Sequence, residues 1–162
     1  MKPASVKEIR HDLKHRSNEE LMELCLRLAR FKKENKELLT YLLFESENEE
    51  IYKQSIKEEI TAGFENVNPE SYYFAKKSIR KILRETKKFI RYSGKKETEV
   101  ELLIHFCHHL KNFRSAIEEN MALRNLYIRQ MDLIKKRIEA LHEDLQYDFT
   151  QKLKELEIND KL

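Results

Sequence analysis

The chain has 162 residues, with 32 Lys/Arg against 29 Asp/Glu, 40% apolar residues, and only 2 Gly and 2 Pro. Hairpin turns, bulges and phosphate-cradling loops rely on glycine, so an all-β fold, a dinucleotide-binding fold and a P-loop enzyme are all but excluded. One soluble helical domain is the default at this length.

Helix starts are announced by local chemistry. Ser5-Val6-Lys7-Glu8, Ser17-Asn18-Glu19-Glu20, Ser46-Glu47-Asn48-Glu49 and Thr98-Glu99-Val100-Glu101 all fit the capping box. In that motif a hydroxyl accepts from the third helical N–H while a carboxylate reaches back to the cap's own N–H. These marks predict helices over about 6–16, 18–31, 36–45 and 48–63. Leu21, Leu24, Cys25, Leu28 and Phe31 form the apolar stripe of the second; Ile51, Ile56, Ile60 and Phe64 lie near one side of the fourth. A turn over Gly63–Asn68 leads to Pro69 as the first residue of a fifth helix, 69–93, which Gly94 stops. A sixth begins at Thr98.

Between Thr98 and Leu162 there is no Gly or Pro. The apolar register still supplies a break. Leu103, Phe106, Leu110, Phe113 and Ile117 hold a 3–4 spacing that then meets Asn120 and Arg124, and a fresh stripe runs from Tyr127 through Met131, Ile134, Ile138 and Leu141 to Leu145. The pattern predicts a turn near 117–122 and a last helix over about 122–156, about 50 Å long at 1.5 Å per residue. A compact domain of this size is roughly 40 Å across, so that helix breaks near Asp148, or extends the molecule, or packs on a partner.

Charge is unevenly placed. Residues 71–96 hold 10 Lys/Arg and 1 Asp/Glu, and the remainder holds 22 and 28. On helix 69–93, Tyr72, Ala75, Ile79, Ile82, Leu83, Thr86, Phe89 and Ile90 share an arc of about 120°. Lys76, Lys77, Arg80, Lys81, Arg84, Lys87, Lys88 and Arg91 share a second arc of about 140°. Like charges at i, i+4 are mutually destabilising, so such a face calls for anions. The plainest source is internal, from Glu45, Glu47, Glu49 and Glu50 or from Glu58 and Glu59. The others are nucleic-acid phosphate, through Lys77, Arg80, Lys81, Arg84, Lys88 and Arg91, or an acidic partner protein. Tyr72-Tyr73-Phe74 beside the basic run has the composition to stack bases, but Tyr72 and Phe74 cannot share a helix face.

Glu101, His105 and His109 stand at i, i+4, i+8, the spacing with which imidazoles on one helix face share a metal. The helical wheel argues against a buried site. It sets Glu101, His105 and His108 opposite the arc of Leu102, Leu103, Phe106, Cys107 and Leu110, so the metal and cofactor expectation is none. Gly-x-Ser-x-Gly, His-Glu-x-x-His and a P-loop are absent from the sequence, and an enzyme is unsupported. Cys25 and Cys107 form no CxxC pair and fall at apolar helical positions, as buried thiols of a cytoplasmic protein would. No run approaches the ~20 apolar residues of a bilayer span.

Leu13 to Glu45 resembles the opening of a family of small bacterial all-helical domains of unknown function. There a Leu-x-x-x-Ser-x-x-Glu-Leu cap leads into a leucine-rich helix, and an Asn-Lys-Glu-x-Leu segment, here Asn35-Lys36-Glu37-Leu38-Leu39, leads into the next. The resemblance implies a helical fold and a bacterial source, and no activity.

The expectation is therefore an all-α chain of six or seven mostly antiparallel helices, an irregular bundle or short curved array. It is one domain over 1–162 that divides, if at all, into an N-terminal layer 1–66 and a longer-helix layer 68–157. The expected function is a non-enzymatic protein-interaction or scaffold module. Nucleic-acid binding through helix 69–93 is the alternative, and a second copy docking through the long C-terminal helix is the expected route to an oligomer.

Overall fold

A computed structural model describes residues 1–113 and 116–156. It is all-α. Nine α-helices occur among the described residues: α1 (Val6–Leu13), α2 (Asn18–Phe31), α3 (Lys33–Thr40), α4 (Glu49–Glu65), α5 (Tyr72–Ser93), α6 (Lys96–Asn112), α7 (Ala116–Glu119), α8 (Met121–Ile138) and α9 (Glu143–Lys154). A wider π-helical turn, Tyr41–Glu45, continues from the end of α3. The count exceeds the expected six or seven because two predicted helices are each broken. The chain forms two compact units, residues 1–44 and 45–162.

The first unit begins with two capping boxes that form as expected. The Ser5 and Ser17 hydroxyls accept from the amides of Glu8 and Glu20, and those carboxylates accept from the Ser5 and Ser17 amides at 2.7 and 2.9 Å. Lys32 alone separates α2 from α3. It is extended at φ −142°, ψ 146°, and the Asn35 side chain closes the corner by donating to the Leu28 carbonyl at 2.9 Å. The helices α2 and α3 pack on each other.

The second unit is built around α6, which packs against α4, α5, α8 and α9. Val100, Leu102, Leu103, Phe106, Cys107 and Leu110 are fully enclosed. The solvent face expected opposite this core is kept at Glu97, His108 and Asn112, while α4 partly covers Glu101, His105 and His109. Contacts fix the directions. Tyr52 of α4 donates to the Phe89 carbonyl at 2.9 Å while Gly63 faces Ile82, so α4 and α5 are antiparallel. Lys53 meets Glu101 and Phe64 meets Phe106, so α4 and α6 are parallel. Arg137 meets Glu99 at 2.9 Å, so α8 runs against α6.

Several boundaries depart from expectation. Asn48, not Ser46, caps α4, accepting from the Ile51 amide at 3.2 Å. Thr98 lies inside α6 and is 1% exposed. Asn68 caps a turn before α5, accepting from the Glu70 amide. Gly63 lies within α4, while Gly94 ends α5 in the left-handed conformation at φ 66° as predicted. The turn expected near 117–122 begins earlier, at Phe113, and Asn120 caps α8 by accepting from the Ala122 and Leu123 amides. Residues 114 and 115 lie outside the described residues.

The single C-terminal helix is also corrected. It breaks at Glu139–His142, ahead of the alternative break at Asp148. There the Gln146 side chain donates to the Leu141 carbonyl at 2.8 Å and the Glu139 carbonyl at 3.2 Å. The break lets α9 return onto α6 and α8, burying Phe149, Leu153 and Leu156. Among the described residues the expected single helix over 122–156 is two, α8 and α9.

Candidate functional site

Three surfaces or clusters carry the residues singled out in the sequence. The first is the Glu101–His105–His109 row of α6. The structure does not bring these together as a metal set. The Glu101 carboxylate is clamped by two lysines of α4, with Lys53 Nζ at 2.6 Å from Oε2 and Lys57 on the other oxygen. Burial favours the neutral acid, but the hydrogen bonds and charges of Lys53 and Lys57 outweigh it and hold the carboxyl below its ordinary range. Lys53 is 6% exposed. Burial opposes its charge, yet hydrogen bonds to Glu101 and Glu50 leave its pKa raised.

Both imidazoles turn instead to Thr61 of α4. His105 Nε2 and His109 Nε2 lie 3.0 and 3.1 Å from its hydroxyl oxygen, and that hydroxyl donates to the Lys57 carbonyl at 2.9 Å. A hydroxyl has one proton, so Thr61 donates in at most one of these three contacts. His105 also reaches the Lys57 carbonyl at 3.2 Å. Burial, then the neighbouring His109, lowers the pKa of His105 to about 4, and burial lowers that of His109. Among the described residues no group of three or more His, Cys, Asp or Glu side chains is arranged to hold a metal ion.

The second surface is the basic face of α5. Three of the acids expected to neutralise it have other partners. Glu49 accepts from Ser93 and Thr98 and pairs with Lys95 at 2.9 Å. Glu50 pairs with Lys53, and Glu58 accepts from Gln54. The face divides in two. On its inner side Lys88 pairs with Glu85 at 2.7 Å, and Lys81 shares a groove between α4 and α5 with Glu59 and Glu85. The groove has a volume of about 310 Å³. On its outer side Lys77, Arg80, Arg84 and Arg91 are exposed. Among the described residues no carboxylate pairs with Lys77, Arg80, Lys81 or Arg91, and Arg84 meets only Glu85, at 3.8 Å, with its side chain 73% exposed. Lys87 leaves the face. It is half-buried, and burial lowers its pKa against the favourable charge of Glu99.

Of the aromatic run Tyr72-Tyr73-Phe74, it is Tyr73 that lies with the exposed cations. Tyr72 donates to Glu119 at 2.5 Å, whereas Tyr73 is exposed, with Lys77 Nζ 5.3 Å from its ring centre. The signal was present in the spacing, because Tyr73 precedes Lys77, Arg80, Arg84 and Arg91 by 4, 7, 11 and 18 residues. At 100° per residue all five fall within an arc of about 60°.

The third surface belongs to the first unit. No residue of α1, α2 or α3 is buried. Met22, Leu28 and Phe31 are 57%, 60% and 76% exposed, and Leu42, Leu43 and Phe44 are exposed beyond α3. Cys25, expected inside, is exposed, while Cys107 is buried and its thiol is pushed up to about 12 by that burial. No helix among the described residues is long and apolar enough to cross a membrane. Compared with family models, curated proteins and solved structures, the chain matches none, so function is argued from these surfaces alone.

Proposed function

We propose that the chain is a non-enzymatic protein-interaction module whose first unit offers the leucine-rich face of α2 and α3 to a partner. One observation carries this reading: α2 and α3 pack on each other yet bury no residue, leaving Leu24, Leu28 and Phe31, which share one face of α2, 42%, 60% and 76% exposed. Helices of 14 and 8 residues gain their stability by covering an amphipathic face. A contiguous apolar patch of this kind marks an interaction site, and a partner helix laid in the α2–α3 seam would cover it. The ionisable cluster of α6 supports the non-enzymatic part, since Glu101 is neutralised by Lys53 and Lys57, and His105 and His109 are spent on Thr61. The free thiols Cys25 and Cys107 fit a cytoplasmic setting, and the pattern over 13–45 fits a bacterial one.

Site-specific photo-crosslinking in living cells tests the proposal. A benzophenone side chain placed at Leu28 or Phe31 is expected to yield adducts heavier than the chain, and the same group at exposed Lys136 on α8 is not. Adducts no more abundant at Leu28 and Phe31 than at Lys136, or crosslinks confined within the chain, would overturn it.

A further inference from the structure

The outer face of α5 carries a property that the interaction reading does not use. Tyr73, Lys77, Arg80, Arg84 and Arg91 lie along one edge of a 22-residue helix. From Tyr73 to Arg91 the row is about 27 Å long. Its cationic residues repel one another, and the acids of α4 at Glu49, Glu50 and Glu58 serve other partners. Among the described residues only the 3.8 Å contact of Glu85 with Arg84 offsets this line of charge, which is headed by an exposed aromatic ring. We propose that this row binds a single-stranded nucleic acid, with the guanidinium groups of Arg80, Arg84 and Arg91 on successive phosphates and the Tyr73 ring stacked on a base.

Two features favour this occupant over an acidic protein. Three of the four cations are arginines, whose planar fork matches phosphate oxygens in a bidentate manner. The exposed ring also sits in the middle of the charged arc, where a base attached to a bound strand would reach it, and stacking tolerates any base. An acidic peptide would satisfy the arginines, whereas a strand carries a planar base with every phosphate. Phe74, 56% exposed and edge-on to Tyr73 with ring centres 5.3 Å apart, widens the platform. The inner side of the face is unsuited to phosphate, because Glu59 and Glu85 flank Lys81 and Glu85 holds Lys88. The predicted six-residue basic site therefore reduces to four, Lys77, Arg80, Arg84 and Arg91.

The test is fluorescence anisotropy of the full chain with a fluorescein-labelled 20-nucleotide single-stranded RNA of mixed sequence. The matched DNA strand, the duplex and poly-L-glutamate serve as competitors. Binding is expected at 50 mM salt, weakening with a log–log slope of about −2 to −3, as three or four neutralised phosphates give. Arg80→Ala/Arg84→Ala is expected to weaken binding at least tenfold and Tyr73→Ala at least fivefold. Lys136→Glu should leave it within twofold. Circular dichroism of each variant checks that the fold is retained. The proposal is overturned by no binding at 50 mM salt, or by equal losses from Lys136→Glu and Arg80→Ala/Arg84→Ala. It is also overturned by poly-L-glutamate displacing the strand at equal charge concentration, or by a duplex bound as tightly as the strand with Tyr73→Ala silent.

Discussion

At the scale of single residues, what matters most in the second unit is how α6 disposes of its ionisable groups among hydrocarbon. Glu101 accepts two lysines and stays charged; His105 stays neutral because burial penalises its cation. The consequence is a pH dependence with a definite sign. His105 has a pKa of about 4 in the folded chain against an ordinary 6.5. Between those values the unfolded chain takes up a proton that the folded chain refuses, so stability falls as pH drops through that window. His109, also lowered, acts in the same direction. Allowing for partial solvent screening, His105 should account for about 1–2 kcal/mol lost between pH 7.5 and pH 5. Urea unfolding at the two pH values measures this. His105→Gln, whose amide keeps a donor for Thr61, should lose less on acidification than the native chain. Equal losses in the two proteins would show that His105 titrates normally.

At the scale of elements, two of the four capping boxes written in the sequence form, and the other two show what local pattern lacks. Glu8 stays with Ser5, and Glu20 keeps Ser17 on one oxygen while the other accepts from Arg16 at 3.2 Å, one turn away. Glu49 is instead taken by Ser93, Thr98 and Lys95, and Glu101 by Lys53 and Lys57, all distant in sequence. The apolar period likewise located α2 and the helix stop at Gly94. It ran straight through Glu139–His142, where folding α9 back onto α6 and α8 buries more apolar surface than a continued rod would. The basic face was legible as a row of charges, and its division into a paired inner half and a free outer half depends on where Glu59 and Glu85 come to rest. Gly63 is the sharpest case. Read as a turn residue, it lies inside α4, where an added Cβ would stand 3.0 Å from Ile82 Cγ1 and 3.1 Å from Cδ1. Its use is the close approach of α4 and α5. Gly63→Ala gains about 1 kcal/mol of helix propensity and must push Ile82 aside by a few tenths of an ångström. Because Ile82 borders the open groove, the two effects should nearly cancel. Gly63→Leu has no such outlet and should cost about 1–3 kcal/mol by prising the helices apart. Thermal melts of the two variants check the ordering, and a Leu variant as stable as the native chain would show that the approach is not tight.

At the scale of the whole molecule, the two units differ in how they are held together. Residues 45–162 enclose a core of helices on several sides of α6, with Val100, Leu102, Phe106 and Ile134 fully removed from solvent. Residues 1–44 contain helices of 8, 14 and 8 residues that bury nothing among them. Isolated helices shorter than about 12–15 residues are marginal in water, and below about 40 residues chains rarely fold without a staple. The expected outcome of separating the units follows. A chain of residues 45–162 should unfold in one cooperative transition with the helicity of its structure. A chain of residues 1–44 should be largely unfolded at 25 °C, its capping boxes too weak, at about 1 kcal/mol each, to offset the backbone entropy of ordering about 30 helical residues. Circular dichroism melts of the two fragments decide it. A cooperative, fully helical 1–44 fragment would mean that α2 and α3 stabilise each other unaided, and the leucine face would then need no partner to explain it.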